Sequence, residues 1–186
     1  MGATEPVSGV VLMTGVMASG KSTVAELLAR RLPRAAHVRG DVFRRMIVSG
    51  REDPLPSPSE QARAQLRLRH RLSASAADLY AAEGITAVVQ DIVLGPDLAA
   101  YVDRVRTRPL HVVVLAPSAA AVRARERDRP KSGYGVWTVE ALDRELRERT
   151  PRLGLWLDSS ELTPEQTVTE ILANLDSARI GERRSR

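Results

Sequence analysis

The stretch GVMASGKST opens at Gly15, directly after the apolar run Val10-Val11-Leu12-Met13-Thr14. Its first eight residues, Gly15, Val16, Met17, Ala18, Ser19, Gly20, Lys21 and Ser22, satisfy the spacing G-x-x-x-x-G-K-[ST] in full. Glycines at those two places let the backbone turn tightly and approach a ligand that a Cβ would keep away. The loop N–H groups then converge on an anion, helped by the positive end of the helix that follows. Lys21 adds a compact charge for β- and γ-phosphates, the Ser22 hydroxyl a ligand for Mg²⁺, and Thr23 a contact for the α-phosphate. The chain carries two lysines, Lys21 and Lys131, so a lysine at this spot is no compositional accident. The chemistry implied is binding of a nucleoside triphosphate, with ATP and Mg²⁺ as the expected pair.

The elements that must position this loop alternate along the chain. Strands are expected at 10–14, 36–39, 85–90, 110–116 and 153–157, each apolar and short. Helices are expected at 22–32 (stopped by Pro33), over a short turn from 41 or 42 to 47, at 59–82 (stopped by Gly84), at 97–106, from Ser118 onward, at 138–149, and from 163 to about 175. Ser118 and Thr138 read as N-caps, and Thr163-Pro164 as an N-cap followed by proline at the first helical position. REDPLPSPS, at 51–59, is the strongest loop signal. Apolar strands alternating with helices predict a parallel five-stranded sheet covered on both faces, with ligands beyond the carboxyl ends of the strands. Gly15, Asp41 and Asp91 all fall at such ends.

Composition limits the alternatives. At 186 residues one domain is expected, taken as 1–178 with a disordered tail at 179–186. There is no cysteine, so disulfides and thiolate metal sites are excluded, and a reducing, cytoplasmic setting is the simplest expectation. The N-terminus lacks the pattern of a secretory signal and no segment has the length of a membrane span. The net charge of +5 invites a nucleic-acid partner, but arginine interleaved with acids, as in ALDRELRERT, reads as solvated helix surface. Three tyrosines, two tryptophans and one phenylalanine leave little for a base-stacking platform. A GTPase is excluded by the absence of N-K-x-D, and Asp91-Ile-Val-Leu-Gly95 is one residue too long for D-x-x-G. Large AAA-type motors need a longer chain. A small phosphotransferase remains.

Five segments carry a more specific likeness: GVMASGKST, RGDVFR after the second strand, QDIVLG closing the third, RARERDRPKSGYG, and LDSSELTPEQTV. Together they resemble the shikimate and gluconate kinase group of small P-loop kinases, and within it the chloramphenicol phosphotransferase-like proteins, over about residues 10–175. The resemblance implies a P-loop NTPase fold with an arginine-rich lid and a phosphotransferase acting on a hydroxyl of a small molecule, an antibiotic or other secondary metabolite among them. It implies that Asp41 faces the acceptor hydroxyl as base or orienting group, though an aspartate there also suits a helix cap. Asp91 is either a metal carboxylate acting through water, an acceptor-site carboxylate, or a turn residue, and Arg44 either touches the acceptor or lies on the surface. Arg129-Pro130 is similar to the lid pair that approaches the transferred phosphate in shikimate kinases, with Arg127 and Lys131 as further candidates. Arg123 or Arg125 would flank the adenine, and Tyr134, between Gly133 and Gly135, would reach substrate. Gln61, Arg67 and His70 are read as solvent-facing helix residues rather than contacts. The pattern by which shikimate kinases hold a carboxylated ring is missing, so shikimate is not the expected acceptor. Two other readings stand beside this one: a polynucleotide 5′-hydroxyl kinase, and a regulatory or toxin-like nucleotide-binding protein. Monomer and homodimer are equally compatible with the sequence.

Overall fold

The computed structural model describes residues 7–53, 55–128 and 134–181. Five strands, β1 (Val10–Gly15), β2 (Ala35–Arg39), β3 (Thr86–Gln90), β4 (Leu110–Leu115) and β5 (Leu155–Leu157), form one parallel sheet in the order β2-β3-β1-β4-β5. Helices α1 (Lys21–Arg31), α2 (Gly40–Arg45), α3 (Glu60–Ala82), α4 (Pro96–Arg104), α5 (Ala119–Arg127), α6 (Val139–Arg144), α7 (Pro164–Ala173) and α8 (Leu175–Ala178) fill the connections. This is the expected five-stranded α/β P-loop architecture.

Alternation along the strands splits the core in two, because successive side chains point to opposite faces. Val10, Leu12, Ala87, Val89, Val112 and Val114 pack on one side with Ala74 and Ala77 of α3 and Leu98 of α4. Val11, Met13, Val88, Val113 and Leu115 pack on the other with Val24 and Leu28 of α1 and Ile171 of α7. β1, β3 and β4 are buried throughout, whereas β2 and β5 are largely half-buried because they are the sheet's edges. Four caps form as the side-chain chemistry dictates: Ser59, Ser118, Thr138 and Thr163 each accept a hydrogen bond from the N–H three residues on, and the Gln166 side-chain oxygen accepts the Thr163 N–H in turn.

Two elements differ from expectation. The helix over 138–149 changes character at Glu145, where Glu145–Arg149 forms a π-helical turn. Thr150 then donates to the Glu145 carbonyl and accepts from the Gly95 N–H, tying that turn to the loop after β3. At the end of the chain, Arg179 still makes an antiparallel bridge with His111 and the Ile180 N–H donates to Leu110, so the chain is packed beyond residue 178.

Candidate functional site

β1 runs straight into the glycine-bearing loop. Gly15 (φ 148°) lies so close to the Leu115 carbonyl and Ser19 Oγ that a Cβ would overlap them. Gly20 (φ 95°) turns the chain into α1, and between them Ala18 adopts the left-handed region at φ 57°. Three carbonyls of this loop are held from outside its own ladder. Lys21 Nζ donates to the Val16 carbonyl at 2.5 Å, the Tyr134 hydroxyl to Met17 at 2.9 Å, and Arg125 to Ser19 at 3.3 Å. With those oxygens pinned, the peptide N–H groups are turned the other way. Helix α1 begins with no side-chain cap and no acid in its first turn, which leaves its N–H groups and positive end available to an anion. Strand end, cradle, lysine and open helix terminus fit a bound triphosphate tail on their own geometry.

Beside this cradle is a cleft of about 380 Å³. Met17, Ala18, Gly20, Lys21, Ser22 and Thr23 form one end of it, Arg125 flanks them, and Arg39, Asp41, Arg69, Gln90 and Ile92 continue the wall. Gly15, Val16 and Ser19, also read as nucleotide contacts, are buried in the loop and are not among the residues lining the cleft. Four cations and one carboxylate thus line the space, a balance suited to polyphosphate. Arg125 reaches further, donating to the Ser159 and Ser160 carbonyls, and so joins α5, the P-loop and the segment after β5.

Asp41 sits in the first turn of α2 but does not cap it; the cap position is Arg39, with no side-chain cap. Its carboxylate is 2.9 Å from Arg45 and 3.7 Å from Arg39, and Oδ1 is buried with no hydrogen-bond partner. A carboxylate oxygen left in that state, in the wall of a cleft, is ready to accept a proton donor.

Other sequence expectations are redistributed. Asp91, read as a metal or acceptor carboxylate, does not line the cleft. It is fully buried, holds Arg69 of α3 in a two-pronged ion pair through Nε (2.8 Å) and Nη2, and accepts the Ile92 N–H. Its oxygens are already engaged, which is the physical reason it offers no open ligand. Arg44 is turned to the Glu52 carbonyl and Asp53, bracing the 51–53 loop. Arg123 pairs with Glu140 at 2.5 Å on the exposed side of α5, away from the cleft. Tyr134 is buried on the P-loop rather than facing the acceptor end. Arg127 is exposed at the end of α5. Arg129, Pro130, Lys131 and Gly133 lie outside the described residues.

His70 is not a solvent-facing residue. It is buried edge-on against Tyr101, whose hydroxyl meets Ser73, and burial holds its pKa below the usual histidine value. The sequence reading missed Arg39, Arg69, Gln90 and Ile92 as cleft residues. Gln90 carries a signal in hindsight, a polar residue closing an otherwise apolar strand; Arg69 carries none among Arg63, Arg67 and Arg71. Among the described residues no cluster of three or more metal-ligating side chains occurs, and no helix is long and apolar enough to cross a membrane.

A family model described as "AAA domain" matches residues 10–151, and the chain belongs to that P-loop family. No curated protein is detectably similar in sequence. Among solved structures, a sugar kinase from Janibacter sp. HTCC2649 is similar at 22% identity and a TM-score of 0.68, over 92% of this chain and 96% of that one. The tunicamycin resistance protein of Deinococcus radiodurans aligns at 18% identity and a TM-score of 0.66, over 95% and 100% of the two chains. The APS kinase of Mycobacterium tuberculosis, solved with AMPPNP and APS, aligns at 22% identity and 0.64, over 92% and 99%. These likenesses establish the fold, that of small kinases.

Proposed function

We propose that this chain is an ATP-dependent phosphotransferase whose acceptor is a hydroxyl group of a small molecule. The observation that carries the reading is the shared cleft: the triphosphate cradle with Lys21 forms one end, and a carboxylate oxygen of Asp41 with no hydrogen-bond partner lies in the wall beyond it. Loop N–H groups and the Lys21 ammonium hold the β- and γ-phosphates, Thr23 supports the α-phosphate, and Arg125 stands at the base end with the Ser159–Ser160 backbone. Ser22 would ligate Mg²⁺, which when bound neutralises charge between the phosphates. Asp41 orients the acceptor hydroxyl. As the new O–P bond forms, the γ-phosphorus separates from its bridging oxygen, ADP keeps that electron pair, and the hydroxyl proton passes to Asp41. Arg127 and Arg129 are the candidates for meeting the transferred phosphoryl group as charge spreads over its oxygens.

The likeness to a sugar kinase and to a tunicamycin resistance protein supports a sugar, antibiotic or other secondary metabolite as acceptor class. The absence of cysteine accords with a reducing, cytoplasmic setting. Calorimetry with AMPPNP and Mg²⁺ tests the first half: wild type binds, and Lys21→Ala loses affinity by at least about tenfold. ADP release in the presence of an acceptor tests the second: Asp41→Asn keeps nucleotide binding and loses about a hundredfold or more in turnover. An undiminished Asp41→Asn enzyme would remove Asp41 from the chemistry, and a wild type without affinity for the nucleotide would remove the whole reading.

A further inference from the structure

Of the arginines around the cleft, Arg125 is held by backbone carbonyls, and others are met by a carboxylate of the protein. Arg69 is gripped by Asp91, Arg44 by Asp53, and Asp41 is shared between Arg45 and Arg39. The Arg69–Asp91 pair is the deepest of these. Asp91 is fully enclosed, the Arg69 side chain is 13% exposed, and the Gly40 Cα packs so tightly on the carboxylate that a Cβ would overlap it. Arg69 nevertheless lines the cleft, as a guanidinium whose charge has been matched from within.

Gln90 closes β3 in the same wall. It is 7% exposed, and its amide oxygen is buried with no hydrogen-bond partner. Turning the amide over would bury its NH₂ in the same place, so the enclosed end lacks a partner in either orientation. A hydroxyl, which both donates and accepts, satisfies either end. Arg39 is registered opposite Gln90 on β2, shares its face of the sheet, and has a half-exposed side chain.

Building on the phosphoryl-transfer reading above, we propose that the acceptor is an uncharged polyhydroxyl compound: one hydroxyl reacts at Asp41, a second binds Gln90, and Asp91 disfavours acidic acceptors by serving as the built-in counter-ion of Arg69. Asp91 takes the Nε and Nη2 edge of Arg69 and matches its charge, so an incoming carboxylate meets a cation already neutralised and gains little there, whereas a hydroxyl needs no uncompensated charge.

The test compares matched neutral and acidic probes with MgATP: glycerol with D-glycerate, D-ribose with D-ribonate, D-glucose with D-gluconate. ADP formation is followed at steady state and AMPPNP binding by calorimetry. The expected result is a neutral probe turned over with kcat/KM about tenfold or more above its acid partner. Gln90→Leu should raise KM for that probe about tenfold with a smaller change in kcat, and lose this effect on a deoxy analogue lacking the second hydroxyl. Asp91→Asn should narrow or invert the neutral-to-acid ratio. Should that variant fail to fold, the wild-type ratio and the Gln90→Leu split decide the matter without it. A preference for the acids, an unmoved KM in Gln90→Leu, or silence from every probe while AMPPNP still binds would overturn the proposal and leave the phosphotransferase reading standing. Failure to bind AMPPNP would overturn both.

Discussion

Replacing Gly40 with alanine tests whether the Asp91 strut positions Asp41. Gly40 is the first residue of α2 and the immediate neighbour of Asp41. Its φ is not among the positive ones, so the backbone itself accepts alanine. On propensity alone the change would stabilise a helix position by about 0.5–1 kcal/mol. The added methyl, however, meets the Asp91 Oδ2, Cγ and Cβ atoms, well inside contact distance. Asp91 cannot simply step back, since Arg69 holds both its oxygens and the Ile92 N–H holds one of them. Overpacking of a filled core costs about 1–3 kcal/mol. Subtracting the propensity gain leaves a net loss of up to about 2.5 kcal/mol, or a fall in Tm of up to about 10 °C for a domain of this size. Urea and thermal unfolding measure it. The collision also shifts α2, and a displacement near 1 Å at a catalytic group costs about a hundredfold in rate, so ADP formation should fall more steeply than stability does. A Gly40→Ala protein that is more stable than wild type and equally active would show that Asp91 does not brace α2, because the propensity term would then be acting unopposed.

Other consequences are simpler to check. Tyr134→Phe removes the hydroxyl that holds the Met17 carbonyl; loss of one such bond predicts a three- to tenfold higher KM for ATP, readable in a coupled ADP assay. Thr163→Ala dismantles the capping box of α7 and should cost about 1 kcal/mol in a urea titration, with no effect on the kinetics. His70 and His111 are both buried, and desolvation is the main cause holding each below the free value of 6.5. The unfolded chain therefore takes up protons there before the folded one does. Stability is complete above pH 6.5 and declines as pH drops below it, by at most about 1.4 kcal/mol per pH unit for each histidine. Glu26, Glu60 and Asp158, whose pKa values are lowered by hydrogen bonds from His37, Arg67 and Ser160, act in a more acidic window, below 4.5 or, for Asp158, 3.8. Urea midpoints at pH 7.5 and 5.5 should thus differ, and His70→Asn should flatten the difference.

What was legible in the sequence divides along a physical line. The strands, the phosphate loop and four helix caps were readable because their causes are local: an apolar run, two glycines at fixed spacing, a hydroxyl three residues before an N–H. The acceptor end was not, because its causes are long-range. Arg69 and Asp91 are 22 residues apart, and nothing in the sequence of α3 separates Arg69 from the arginines around it until α3 is laid beside β3. Two residues at one strand end therefore exchanged roles between sequence and structure. The aspartate, chosen for its charge, is spent on an internal partner, while the neutral Gln90 before it lines the cleft with a polar atom unmet. The same logic separates Arg125 from Arg123. Two positions apart on one helix, they lie on different faces, so one reaches the P-loop carbonyls and the other reaches Glu140. An ionisable side chain acts where its charge is left uncompensated, and compensation is a property of packing that no run of neighbouring letters encodes.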